Sequence, residues 1–227
     1  MARKGNSRHI NTLAAPIYFG VHRKESKYVT KANPGRFNSE NSIPISLVLK
    51  KVEAADIMKN IKHIIKSNIV TVNNKPINDE RFPVGFGDIV EIKGKGAFKI
   101  GIDMHGRASF EAVEKPDYNN MIYKAIGKYK TKKANIIIKL HNGSIINGDN
   151  NIKVNDSVIV DESNKIKSIL PLKTGAKCYI ISGVHVGIEG IIKEVKPGSI
   201  KMKPSVTIET KEGKSFGTLV RNIIVTG

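Results

Sequence analysis

The chain has 227 residues, 40% of them hydrophobic and 26% charged, and its 38 Lys and Arg exceed its 20 Asp and Glu to give a formal net charge of +18. Lys, Asn, Asp or Glu interrupts every apolar run before the roughly 18 residues a membrane helix needs, the basic start at Met1 leads into no apolar signal core, and one cysteine, Cys178, allows neither an internal disulfide nor a cysteine-held zinc. The expectation is a cytoplasmic protein of two or three small units that meets a polyanion and no membrane.

Residues 1–41 hold 8 basic and 2 acidic side chains and lack helical or strand periodicity. They read as a basic extended arm that folds against a partner, although the cluster Leu13 to Phe19 could dock on the body. Ile45, Leu47, Val48, Leu49 and Val52 predict a short helix opening just after Pro44. A second helix is predicted with Asp56 as its N-cap. Ile57, Ile61, Ile64 and Ile65 form its buried stripe, and Lys59, Lys62, His63 and Lys66 lie on the other face. Ser67-Asn68 ends it, Ile69 to Val72 is strand-like, Asn73-Asn74 turns the chain, and Val84 to Ile92 reads as a turn feeding a strand.

Beyond Gly94 the pattern is mainly β, with short runs at Phe98–Ile102, Asn135–Leu140, Ser144–Asn147, Ser157–Val160 and Ile166–Ile169. Asn142-Gly143 signals a two-residue hairpin. Asp117 to Tyr129 is the exception, because Met121, Ile122, Ala125 and Ile126 fall at helical spacing. From Leu172 a further compact unit of strands is expected at Lys177–Ile181, Gly190–Val195, Ser205–Thr210 and Leu219–Val225, with a small barrel favoured.

Positive charge is spread over the whole chain. Residues 42–104 carry 10 basic and 7 acidic side chains, 105–173 carry 12 and 7, and 174–227 carry 8 and 4. That spread suits a protein embedded in RNA better than an enzyme with one charged cleft. Catalytic patterns are missing: the six histidines are scattered, no metal-ligand spacing occurs, and Gly94 to Lys99 and Gly213-Lys214-Ser215 are fragments of phosphate-binding motifs without their remaining glycines. Acidic residues such as Asp88 and Asp156 read as turn-capping or solvated, and Cys178 as a small core residue. No catalytic residue, cofactor, metal or small-molecule substrate is assigned. The basic residues expected to meet RNA are Arg3, Lys4, Arg8, His9, Arg23 and Lys24 in the arm. In and beside the helix pair they are Lys50, Lys51, Lys59, Lys62, Lys66, Lys75 and Arg81.

Several local patterns together resemble one family. They are His9-Ile10 with Ala14-Ala15-Pro16, the helix from Pro44 to Val52, the turn Phe82-Pro83-Val84-Gly85-Phe86-Gly87-Asp88, Gly106-Arg107, Ile152 to Asp156, Thr174-Gly175, and Gly213 to Phe216 with Asn222-Ile223. The sequence resembles the archaeal and eukaryotic small-subunit ribosomal protein family called S-four-e over essentially its whole length, and its end at Gly227 suits the archaeal type. The resemblance implies an α+β protein: arm 1–41, a small alpha-L-type RNA-binding module at 42–93, a central β domain at 94–171, and a C-terminal KOW-type small β-barrel at 172–227. It also implies a structural constituent of the small ribosomal subunit, bound to small-subunit ribosomal RNA and neighbouring ribosomal proteins in the cytoplasm, without catalysis. The competing expectations are an RNA-modifying enzyme and a transcription-elongation factor built from the same modules. KOW loops often set basic residues among their glycines. Here Val184, Val186, Ile188 and Glu189 stand there, and His185 alone can carry positive charge.

Overall fold

A computed structural model describes residues 7–131, 136–199, 202–210 and 213–227. It falls into two compact units, one running to Gly101 and including Arg107–Pro116, the other made of Ile102–Gly106 and Asp117–Gly227.

In the first unit, β1 (His9–Asn11) and β2 (Tyr28–Thr30) form an antiparallel ribbon with His9 opposite Thr30. The expectation that this segment has no order of its own is corrected for residues 7–41. Its few large side chains suffice because Tyr18, Phe19, Val29 and Phe37 are buried, and the Thr12 hydroxyl donates to the Ser26 carbonyl. Gly85 lets the Phe37 ring come close, since a Cβ there would lie 2.6 Å from it.

Next come β3 (Ser42–Pro44), α1 (Ile45–Lys51), α2 (Met58–Lys66), β4 (Val70–Val72), β5 (Lys75–Pro76), β6 (Pro83–Gly85), β7 (Ile89–Ile92), β8 (Gly96–Ile102) and β9 (Ala108–Val113). α1 opens after Pro44 as expected and buries every residue from Ile45 to Leu49. α2 buries Ile61 and Ile65, but Ile57 is exposed and occupies the N-cap place predicted for Asp56. The reason is that the Ile57 carbonyl already accepts from Asn60 and Ile61 N–H, so the helix opens one residue later than the apolar spacing implies. β3 pairs with β6, and the larger sheet runs β5-β4-β7-β8-β9. The β4–β5 turn uses Asn73 and Asn74 with φ of 50° and 62°, a left-handed pair that asparagine tolerates.

The second unit holds β10 (Met121–Lys130), β11 (Ile136–Leu140), β12 (Ile145–Asn147), β13 (Ser157–Val160) and β14 (Ile166–Leu170), in the order β12-β11-β10-β13-β14. The predicted helix at Asp117–Tyr129 is therefore a strand. Met121, Tyr123 and Ala125 alternate into one core, and β10 is bordered on both sides, so period two prevails over the helical spacing. The Asn142-Gly143 hairpin forms with a longer loop: Leu140 N–H donates to Ser144, Gly143 N–H donates back to Leu140, and Gly143 takes φ of 77°. This is a three-residue loop ending in a left-handed glycine.

β15 (Lys177–Ile180), β16 (Glu189–Lys196), β17 (Ser205–Thr210), β18 (Ser215–Leu219) and β19 (Ile223–Val225) follow in the order β18-β17-β16-β15-β19. The single strand expected at Leu219–Val225 is broken by a 3-10 turn at Val220–Asn222. Cys178 lies in the core of this sheet beside Ile180, Ile192 and Ile208, and burial pushes its thiol up to about 11. Buried polar groups join the two sheets of this unit. Lys124 Nζ donates to the carbonyls of Val220 at 2.6 Å and Ile223 at 2.8 Å, and the Ser157 hydroxyl accepts from Val225 N–H at 2.9 Å. The Asp156 carboxylate accepts from Lys153 and Leu172 N–H, both at 2.9 Å. The architecture is mostly β with two helices.

Candidate nucleic-acid interface

The β1–β2 ribbon gathers exposed basic side chains at its open end and along the turn that joins its strands. Arg8 and His9 are exposed on it, as are Lys27 and Lys31 from the return strand and its end. Lys27 Nζ lies 5.6 Å from the centre of the exposed Tyr28 ring. Arg23 and Lys24 are exposed in the turn leading into β2. Lys27 and Lys31, which flank the return strand, were not among the expected contacts. Arg3 and Lys4 lie outside the described residues.

The ribbon is tied down by residues that look like ligands in the sequence. Arg81 Nε donates to the Lys31 carbonyl at 3.1 Å and its Nη2 to the Ser7 carbonyl at 3.5 Å, so its guanidinium holds backbone of its own chain. Arg36, which sequence reasoning left out, forms an ion pair at 3.0 Å with the fully buried Asp88. Burial pushes the Asp88 carboxyl above its ordinary range. Arg36, the Asn73 amide and the Gly85 N–H pull in the opposite direction.

On the helix pair the five predicted lysines divide. Lys50 is exposed at the end of α1. Lys51 turns inward, with Nζ 5.8 Å from the centre of the Phe110 ring, and burial, then Arg107, lowers its pKa. Lys59, Lys62 and Lys66 are all exposed on α2. Lys62 pairs with Glu80 at 3.3 Å, whereas Lys50, Lys59 and Lys66 have no ion-pair partner among the described residues. Lys66 and His63 sit in the last turn, where the helix dipole favours positive charge. Lys75 is exposed on β5, the edge of the five-stranded sheet. The arrangement therefore presents a basic ribbon and a lysine-bearing helix face that can meet phosphates.

The glycine-rich loop between β15 and β16 differs in character. Val184 at its tip is 93% exposed, and His185 is stacked on Phe216 with ring centres 4.0 Å apart. Gly187, at φ of 81°, brings the loop within 2.8 Å of the Met104 nitrogen, measured from where a Cβ would stand. The loop is shaped by close backbone approach, and its one imidazole is occupied by an aromatic neighbour.

No family model matches the chain. Curated relatives do. It is 31% identical over 230 aligned positions to small ribosomal subunit protein eS4 of Methanosphaera stadtmanae, covering 100% of this chain and 95% of that one. To the protein of the same name from Nanoarchaeum equitans it is 31% identical over 221 positions, covering 96% and 94%, and to that from Methanocaldococcus jannaschii 30% over 243 positions, covering 100% and 97%. Among solved structures, the 30S ribosomal protein S4e from Thermoplasma acidophilum superimposes with a TM-score of 0.70 at 23% identity, covering 82% of this chain and 95% of its own, a likeness of fold. Aligned from end to end with archaeal proteins of one name, the chain belongs to the small ribosomal subunit protein eS4 family.

Proposed function

We propose that the chain is a structural constituent of the small ribosomal subunit, working in the cytoplasm on small-subunit ribosomal RNA and against neighbouring ribosomal proteins. The observation that carries this reading is the end-to-end similarity to relatives named small ribosomal subunit protein eS4. The work is electrostatic and positional: exposed lysines and arginines neutralise phosphates, and the folded units hold RNA segments in register with one another. Of the expected contacts, Arg8, His9, Arg23, Lys24, Lys50, Lys59, Lys66 and Lys75 are the side chains left open for this. Lys62, Lys51 and Arg81 are partly engaged within the chain, and Arg3 and Lys4 extend the same basic segment in sequence. No chemical step is assigned to the chain.

In finer terms, residues 1–41 act as a basic arm and 42–93 as an alpha-L-type RNA-binding module. Residues 94–171 form a central β domain, and 172–227 a KOW-type barrel. The β18-β17-β16-β15-β19 order and the close approach at Gly187 are compatible with the last assignment. Neither an RNA-modifying enzyme nor an elongation factor has an observation in its favour.

Fractionation of cell extract tests the reading. The protein is expected to sediment with the small subunit and to remain there through a high-salt wash. Recovery only with RNA polymerase would overturn the proposal. With purified chain and ribosomal RNA fragments, engagement of about 6 to 10 phosphates predicts a loss of affinity of about a thousandfold or more between about 50 and 200 mM salt.

A further inference from the structure

Strand register places six residues of the second unit on one face. Gly127 pairs with Lys139 and Lys139 with Ile145, while Tyr129 pairs with Ile137 and Ile137 with Asn147. Residues directly opposite in an antiparallel ladder share a face. The intervening positions Ile138 and Ile146 point the other way and are buried in the core. The outward set is open to solvent: Tyr129 is 59% exposed and Ile145 67%, and Lys139 and Asn147 are exposed beside them.

Gly127 gives this face its shape. A Cβ there would stand 2.9 Å from the Tyr129 hydroxyl and 3.0 Å from its Cε2, so the ring lies over the glycine and presents a flat surface. On the β12 side, Ile145 and Asn147 also line a cavity of about 540 Å³, together with Asn164 and Lys165, which is room for a planar heterocycle.

The charge along the three strands has one sign, although Asp149 joins Lys165 at the rim of the cavity. From Tyr118 to Gly148 the sequence has six lysines and no Asp or Glu. Lys124 and Lys128 are spent on carbonyls of their own unit, and Lys132 and Lys133 lie outside the described residues. Lys139 is exposed on the face and has no ion-pair partner among the described residues, whereas Lys130, opposite Ile136, points to the other side of the sheet. An aromatic and aliphatic sheet face that carries Lys139, with Lys165 at the adjoining cavity, matches a single-stranded nucleic acid, whose bases offer free π-faces and whose phosphates meet the lysines. A duplex offers no free base face.

We propose that the outer face of β10, β11 and β12 binds an unpaired stretch of RNA, with one base stacked on Tyr129 and an adjoining phosphate held by Lys139. This rests on the RNA-binding reading above and adds a site to it.

The full chain, labelled oligouridylate and an RNA duplex of equal length provide the test. Tyr129→Ala should weaken single-strand binding about 5- to 100-fold while duplex affinity and the thermal midpoint stay unchanged, and Tyr129→Phe should restore it. Gly127→Ala, which pushes the ring from its seat, should weaken single-strand binding in the same direction. Equal affinity of Tyr129→Ala and the parent for the single strand would overturn the platform, and so would an equal loss on both probes. A photo-crosslinker at position 129 in assembled small subunits should join RNA, whereas exclusive capture of a protein would reassign the face to protein docking. A parent chain that binds neither probe would remove the RNA-binding reading itself, while binding indifferent to Tyr129 removes only this site.

Discussion

Asp88 shows how much one carboxylate can organise. Its oxygens accept from Arg36 at 3.0 and 3.4 Å, the Asn73 amide at 2.7 Å and Gly85 N–H at 3.1 Å, tying the segment before α1 to two turns of the sheet. Asp88→Ala strands a mostly buried guanidinium, and breaking such a pair costs about 3 kcal/mol. Urea unfolding should register that loss, with faster proteolysis around Arg36. The sequence made Asp88 legible as a turn residue, but not its partner 52 positions away, because ion-pair distance leaves no trace in spacing. Lys124 is the opposite case: only 3% exposed, it is lowered by burial to about 8. Its charged form is disfavoured in the fold, so between pH 8 and 10.5 the native state holds fewer protons than the unfolded state and stability rises with pH. Cys178, raised to about 11, acts against this increasingly as pH approaches 9 and beyond, so the rise is clearest between pH 8 and 9. Denaturant titrations there should show stability rising by up to about 1 kcal/mol, and Lys124→Met should reduce the slope. A wild-type curve that falls across that unit would contradict the assignment.

At the level of elements, α2 separates lysines that merely sit on a surface from lysines available to a phosphate. Lys62 is half committed to Glu80, whereas Lys59 and Lys66 share its exposed side without that tie. The double substitution Lys59→Ala with Lys66→Ala should therefore lower the salt slope of ribosomal RNA binding by about 2. Lys62→Ala alone should lower it by less than 1, and an unchanged slope in the double variant would remove α2 from the interface. The helix itself was legible because its isoleucine stripe recurs at 3.6-residue spacing. β10 was not, since Met121, Ile122, Ala125 and Ile126 satisfy a helical template while Met121, Tyr123 and Ala125 satisfy a strand. Only pairing with the neighbouring β11 and β13 decides between them. Lys124 falls on the other face of that strand, where it too is buried and two carbonyls provide the compensation. The lysine row on α2 could be placed on one face from sequence, but the Glu80 partner and the inward turn of Lys51 depend on packing.

Across the whole molecule the +18 charge has two consequences of opposite sign. Self-repulsion destabilises the compact chain when no polyanion is present, so salt raised from about 50 to 300 mM should increase the thermal midpoint of the RNA-free protein by screening. The same change should weaken its complex with RNA, and a midpoint that falls with salt in the free chain would contradict this account. Composition revealed the charge and the hairpin signals revealed a β-rich chain. The grouping into two units was not readable, because Ile102–Gly106 joins the second unit although strands on either side belong to the first. Tyr179 fixes that short segment by donating its hydroxyl hydrogen to the Ile102 carbonyl at 2.6 Å, a contact 77 residues apart. A different consequence attaches to Asn147-Gly148 at the edge of the lysine-bearing sheet face. Asparagine before glycine ages chemically when the glycine nitrogen attacks the side-chain amide, expels ammonia and, after hydrolysis, leaves a carboxylate. Gly148 N–H is held by the Ile136 carbonyl at 3.1 Å, and Ile138 packs where a side chain on Gly148 would stand, so that nitrogen is kept from its reaction path. The strand ladder thus protects the face from acquiring, with time, a negative charge beside Lys139.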